Sequence, residues 1–153
     1  MGIFTDLTVR ENVVLAARSG PVDAARLDWI FTLFPALKRF WALPAGHLSG
    51  GQKQMLAITR AIAEPRRLLL VDEPTKGLAP VTVRNMIEAF QALKAAGETI
   101  LLVEQNFHAA SMLGDRVLVM DEGRIVHTGA MSELVADAGL QQRLLGLSLD
   151  AHQ

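Results

Sequence analysis

The chain has 153 residues, half of them apolar and a fifth charged, with a formal net charge of −1 and no cysteine. That length suffices for one compact domain. The absence of cysteine excludes disulfides and thiolate metal sites, and the near-zero charge gives no pull toward nucleic acid, so no nucleic-acid partner is expected.

Thr8-Val9-Arg10-Glu11 has the spacing of a capping box, in which hydroxyl and carboxylate satisfy each other's backbone amides. It predicts a short helix from Val9 to about Ala17, stopped by Ser19-Gly20-Pro21. Asp23 caps a second helix with Leu27, Ile30, Phe31 and Phe34 at helical spacing, interrupted by Pro35. The segment Leu37–Leu43 carries Phe40 and Trp41, read as core, and ends at Pro44-Ala45-Gly46. The first 47 residues are therefore expected to be helical throughout. Ser49 and Gln52 repeat the capping-box spacing and lead into a helix over Gln52–Ala63, with Met55, Ile58 and Ile62 on one face.

The character changes after residue 64. Leu68–Asp72 is a short apolar run, the pattern of a strand buried on both faces. A helix from Pro80 to Ala95 and a second buried strand, Thr99–Val103, complete a strand–helix–strand unit whose crossover should be right-handed. Asn106 caps a helix reaching Leu113, and Arg116–Met120 and Arg124–His127 read as a hairpin around Asp121-Glu122-Gly123. The tail from Ser132 to Leu147 is helical in pattern, broken near Gly139. His47, His108, His127 and His152 show no metal spacing and are expected at surfaces or caps.

Two segments carry chemistry. Leu48-Ser49-Gly50-Gly51-Gln52 opens a helix whose first amides and dipole favour an anion, phosphate above all, and its glycines let a ligand reach the backbone. Taken alone, Ser-Gly-Gly reads as the end of a loop at an ordinary cap. Leu68 to Val71 followed by Asp72-Glu73-Pro74 places two carboxylates at a strand end, where ligands of parallel α/β sheets gather. The alternative is a strand closed by solvated charges.

Leu48–Gln52 resembles the signature motif of ATP-binding-cassette (ABC) ATPases, and Leu68–Glu73 resembles their Walker B strand with its catalytic glutamate. Glu73–Pro80 is similar, more narrowly, to ATPase subunits of branched-chain amino acid importers. Ile3–Asn12 resembles the segment after the family's Q-loop, and similarity continues through Val103-Glu104-Gln105-Asn106 to Gly123-Arg124-Ile125.

The resemblance implies an α/β fold, the C-terminal part of an ABC ATPase (P-loop NTPase-like) domain. Residues 1–64 would form a helical subdomain ending in the signature helix. Residues 65–153 would form the remnant of the α/β core, a partly parallel sheet flanked by helices with Walker B strand, D-loop, switch region and C-terminal helices. Ser49, Gly50, Gly51 and Gln52 would contact ATP held by a second ABC ATPase subunit in a head-to-tail dimer. Asp72 would bind the cofactor Mg²⁺, through water, and Glu73 and Gln105 would serve catalysis. Most family members have a switch histidine where Gln105 stands, and many have an aspartate in place of Pro80; both departures fit the importer subgroup. The partners implied are that second ATPase and membrane-spanning permease subunits, with the chain peripheral at the cytoplasmic face of the inner (plasma) membrane. Phe40 and Trp41 would alternatively receive a short helix of a membrane subunit.

Nowhere do the 153 residues contain Gly-x-x-x-x-Gly-Lys-Ser/Thr, the loop that cradles nucleotide phosphates. The chain is therefore expected to be an N-terminally truncated importer ATPase, with negligible hydrolysis of its own and a sticky sheet edge at Leu68–Val71. Two rivals stand beside that reading: a non-catalytic module offering a signature face to a complete partner ATPase, and a soluble cassette ATPase unconnected with transport.

Overall fold

Two capping boxes organise the N-terminal half of the chain, in a computed structural model that describes residues 2–18 and 20–146. In the first, Thr8 Oγ1 accepts the Glu11 amide at 3.1 Å while the Glu11 carboxylate accepts the Thr8 amide at 2.7 Å, opening α1 (Val9–Val14). The helix ends short of Ala17 because the Ala16 and Ala17 amides bond three residues back and tighten the final turn. The Asn12 side chain, fully buried, accepts the Phe4 amide at 2.8 Å and donates to the Phe4, Leu7 and Thr8 carbonyls, fixing the loop that precedes α1.

Helix α2 (Ala24–Leu33) starts at its expected cap, Asp23, and buries Ile30, while Phe34 behind it is also buried. The second helix stops ahead of Pro35, as expected, and Pro35 is the first residue of α3 (Pro35–Arg39), where its missing amide loses no bond. The expected helix through Leu43 is not formed. Residues 40–43 turn back instead, and the Trp41 and Leu43 carbonyls accept the Arg10 and Val9 amides, each at 3.0 Å. Phe40 and Trp41 are half-buried, Trp41 standing edge-on to Phe31 at 5.1 Å. A single 3₁₀ turn (Ala45–His47) then leads into α4 (Gly50–Ile62). Helices α1 and α3 pack on α4, and Val13, Leu37, Leu56 and Ile62 on these helices are buried. Each such side chain contributes roughly 1.5–3 kcal/mol by burial.

Strand β1 (Leu69–Asp72), helix α5 (Pro80–Ala95) and strand β2 (Ile100–Val103) form the expected unit, the strands pairing in parallel from Leu69 with Ile100 to Asp72 with Val103. Helix α5 buries Met86, Ile87, Phe90 and Leu93. The strands are not buried on both faces as expected. Leu69 is buried, but Leu70 is 69% exposed, and Leu101 and Val103 are exposed as well. Paired residues of parallel strands point to one side of the sheet, and among the described residues β1 and β2 pair only with each other, so this side lacks an apolar cover.

The fold divides into two compact units, one ending at Gln105 and one beginning at Asn106. In the second, Asn106 caps α6 (Phe107–Leu113), and β3 (Arg116–Asp121) and β4 (Arg124–Ala130) form an antiparallel hairpin. Its turn has φ of 44° at Glu122 and 77° at Gly123, the two left-handed residues that match a hairpin's twist. The tail divides, near Gly139 as expected, into α7 (Met131–Ala136) and α8 (Ala138–Leu145); the break falls at Asp137, which caps α8 through the Leu140 amide at 2.8 Å. Val119, Met131 and Leu134 form this unit's core. Leu147 and His152 lie outside the described residues. No helix among those described is long and apolar enough to cross a membrane.

Candidate active site

The second capping box forms as its spacing requires. Ser49 donates its amide to Gln52 Oε1 at 2.9 Å, and Ser49 Oγ accepts the Gln52 amide at 3.3 Å. The two boxes share a design but differ at the next two amides. At α1 these are taken by the Leu43 and Trp41 carbonyls; at α4 no carbonyl among the described residues reaches the Gly50 and Gly51 amides. A 13-residue helix with its dipole aligned thus ends in two unclaimed donors beside exposed Ser49 and Gly50. That arrangement accepts an anion.

The two glycines stand in different surroundings. A Cβ on Gly50 would meet nothing within 4 Å, so the backbone there is open to a ligand. On Gly51 it would lie 2.7 Å from Thr82 Cγ2, at the start of α5. The missing side chain of Gly51 lets α5 approach α4 closely at this point.

At the strand ends, the structure brings Glu73 and Gln105 together. The Gln105 side-chain amide donates to Glu73 Oε1, and the Lys76 ammonium contacts Glu73 Oε2. Glu73 is held at φ 44°, a left-handed conformation that costs a residue with a Cβ about 1–2 kcal/mol. Its amide donates to the Val103 carbonyl at 2.8 Å, extending the β1–β2 ladder through the strained residue. The turn after it is clamped by Thr75, which is buried and donates both its amide, at 2.9 Å, and its hydroxyl, at 2.7 Å, to Glu104 Oε1. Because Thr75 lies two residues beyond Glu73 and Glu104 precedes Gln105, the clamp ties together the two segments that carry Glu73 and Gln105.

Lys76, Thr75 and Glu104 have no assigned task in the motif reading. The sequence signal for them is adjacency alone: each is next to, or within three residues of, a residue already singled out. The hydrogen bond to Glu73, then that carboxylate's charge and to a lesser degree that of Asp72, raise the Lys76 ammonium above the ordinary lysine pKa.

Asp72 ends β1 exposed to solvent. No group of three or more histidines, cysteines or carboxylates among the described residues is arranged to hold a metal ion. The donor set nonetheless fits Mg²⁺, a hard cation that takes one or two carboxylates, keeps several waters and completes its shell with substrate phosphates.

A family model described as ABC transporter matches residues 1–76. The chain is 38% identical over 146 residues to the high-affinity branched-chain amino acid transport ATP-binding protein BraG of Pseudomonas aeruginosa, covering 94% of this chain. It is 33% identical over 148 residues to the probable branched-chain amino acid transport ATP-binding protein LivF of Archaeoglobus fulgidus, covering 95% of this chain. It spans 63% of the length of each of these relatives. A solved ATP-binding subunit of an ABC transporter matches 97% of this chain and 61% of its own at 29% identity, with a TM-score of 0.73. With signature-like helix start, acidic strand end and parallel βαβ unit in these positions, the chain matches the ABC transporter family model over residues 1–76 and is similar to ATP-binding proteins of that family over nearly its whole length.

Proposed function

We propose that this chain works in an ATP-hydrolysing subunit of an importer for branched-chain amino acids, peripheral at the cytoplasmic face of the inner membrane. It would pair head to tail with a second ABC ATPase and drive membrane-spanning permease subunits. The observation that carries the reading is the contact of Glu73 with Gln105 at the β1 end, one residue beyond Asp72. Phosphoryl transfer needs little covalent chemistry from a protein; it needs a positioned water and stabilised charge. Glu73 orients the attacking water and accepts its proton. Gln105 fixes the Glu73 carboxylate and has a second amide proton for a phosphate oxygen. Ser49 and the Gly50 and Gly51 amides receive the terminal phosphate of ATP held by the neighbouring subunit. Asp72 would hold Mg²⁺, through water, and the bound ion would supply positive charge to offset that of the nucleotide's phosphates. The names of the relatives support the solute class, and Gly77–Pro80 and Gln105 fit that subgroup.

Since no phosphate-cradling loop lies in the 153 residues, this polypeptide alone is expected to hydrolyse ATP negligibly. The test is ATP turnover by the native assembly, isolated through a tag on this chain. Glu73→Gln should lower kcat about 10²-fold or more; unchanged turnover overturns the reading. A second reading, a non-catalytic module offering its helix start to a complete partner ATPase, is favoured by the open Gly50 backbone. It requires the partner's rate to depend on Ser49 and to ignore Glu73.

A further inference from the structure

We propose that Lys76 is a positioning residue for Glu73, supplying the positive charge that fixes its carboxylate and that neutral Gln105 does not. The inference rests on the reading of Glu73 as the residue that orients the attacking water. Lys76 lies three residues beyond Glu73, in a turn closed by its own amide on the Glu73 carbonyl at 3.2 Å. Its ammonium binds one carboxylate oxygen while Gln105 binds the other.

An ionised carboxylate has about four acceptor positions. Two donors on different oxygens fix the plane of the group and leave a lone pair on each oxygen for water. A single donor would leave the carboxylate free to turn about the other bond. The pair is a poor candidate for a stabilising element, because the Lys76 side chain is 67% exposed and such ion pairs add little to folding. It is nonetheless aimed at the one residue of the βαβ unit that is held with a left-handed backbone despite carrying a Cβ. A weak stabiliser directed at a strained functional side chain is better explained by orientation than by fold stability.

Gln105 contributes a hydrogen bond without charge, whereas the ammonium contributes a point charge that any monodentate cation can replace. Arginine should therefore substitute for lysine here and methionine should not.

The experiment compares Lys76→Met, Lys76→Arg and Glu73→Gln in the tagged native assembly, with melting temperature and steady-state ATP turnover as readouts. Lys76→Met should lower kcat about three- to tenfold with KM for ATP and melting temperature unchanged, the pattern of a lost positioning contact. Lys76→Arg should recover most of the rate. In the 153-residue chain, nitrogen-15 NMR should show a slowly exchanging Lys76 ammonium whose protection disappears in Glu73→Gln. If Glu73→Gln abolishes turnover while Lys76→Met matches wild type, Lys76 has no positioning role and the function reading stands. If Glu73→Gln leaves turnover intact, the function reading itself fails. An unprotected ammonium in the wild-type chain overturns the contact directly.

Discussion

Replacing Gly51 and Gly50 in turn by alanine separates a glycine packed against α5 from one that faces open space. Both sit in the first turn of α4, so both substitutions gain helix propensity and restrict the unfolded chain, together about 0.4–1 kcal/mol in favour of folding. At Gly50 nothing opposes that gain, since the new methyl meets no atom within 4 Å. At Gly51 the methyl lands 2.7 Å from Thr82 Cγ2, with Thr82 Cβ and Oγ1 both at 3.6 Å. Thr82 is β-branched and lies in the first turn of α5, so it has few rotamers into which to retreat. Overpacking of this kind costs about 1–3 kcal/mol. Gly50→Ala should therefore be neutral or slightly stabilising, and Gly51→Ala should be less stable than it by about 1–3 kcal/mol. Urea unfolding of the chain followed by circular dichroism measures both. The cause is isolated by Thr82→Ser, which deletes the clashing methyl: the double variant Gly51→Ala with Thr82→Ser should recover most of the loss. Equal midpoints for the two alanine variants, or a double variant that is merely additive, would refute the packing argument.

Asn12→Ala removes a buried amide that makes four hydrogen bonds to the loop before α1, leaving the Phe4 amide unpaired. It should destabilise the chain by about 2–4 kcal/mol, read from the same urea midpoint. Thr75→Val keeps shape but deletes the hydroxyl that donates to Glu104, and should cost about 1–3 kcal/mol while lowering turnover of the native assembly, because the Glu73–Gln105 register loosens. Glu11 has its pKa lowered first by the Thr8 hydroxyl and then by the Thr8 amide, so its contribution to stability is present above its unfolded pKa and is lost as pH falls through the lower folded value. The stability advantage of wild type over Glu11→Gln should accordingly shrink on acidification and remain flat above neutrality.

The caps are legible in the sequence because their physics is local. A hydroxyl and a carboxylate or carboxamide three residues apart meet across one helical turn whatever surrounds them, so Thr8 and Ser49 behave as their spacing demands. Residues 40–43 look helical in isolation but are not, because their carbonyls serve α1, about thirty residues earlier, and no local propensity encodes that service. The apolar run at Leu69–Val71 correctly announces a strand, but the exposure of Leu70 depends on what covers the sheet, which a single strand's composition does not contain. The same limit applies within the site. Asp72, Glu73 and Gln105 can be picked out by their motif, whereas the Thr75–Glu104 clamp joins positions separated by α5 and becomes visible only when β1 and β2 pair.

The contrast between the two capping boxes says more about function than either motif alone. Thr8-x-x-Glu11 and Ser49-x-x-Gln52 satisfy the same amides by the same means, so capping chemistry does not distinguish a structural helix start from a binding one. The difference lies in the next two donors. At α1 the chain commits two carbonyls of residues 40–43 to close them, a bend that overrides the local helical pattern of that segment. At α4 the same two donors belong to glycines, one left with open space above it and one pressed against Thr82. A helix start with unused amides loses stability it could readily have gained, and this chain demonstrates the remedy elsewhere in its own first unit. Leaving the Ser49 end open while closing the Thr8 end is consistent with a ligand supplying the missing acceptor, and a phosphate oxygen is the acceptor whose charge matches the helix dipole.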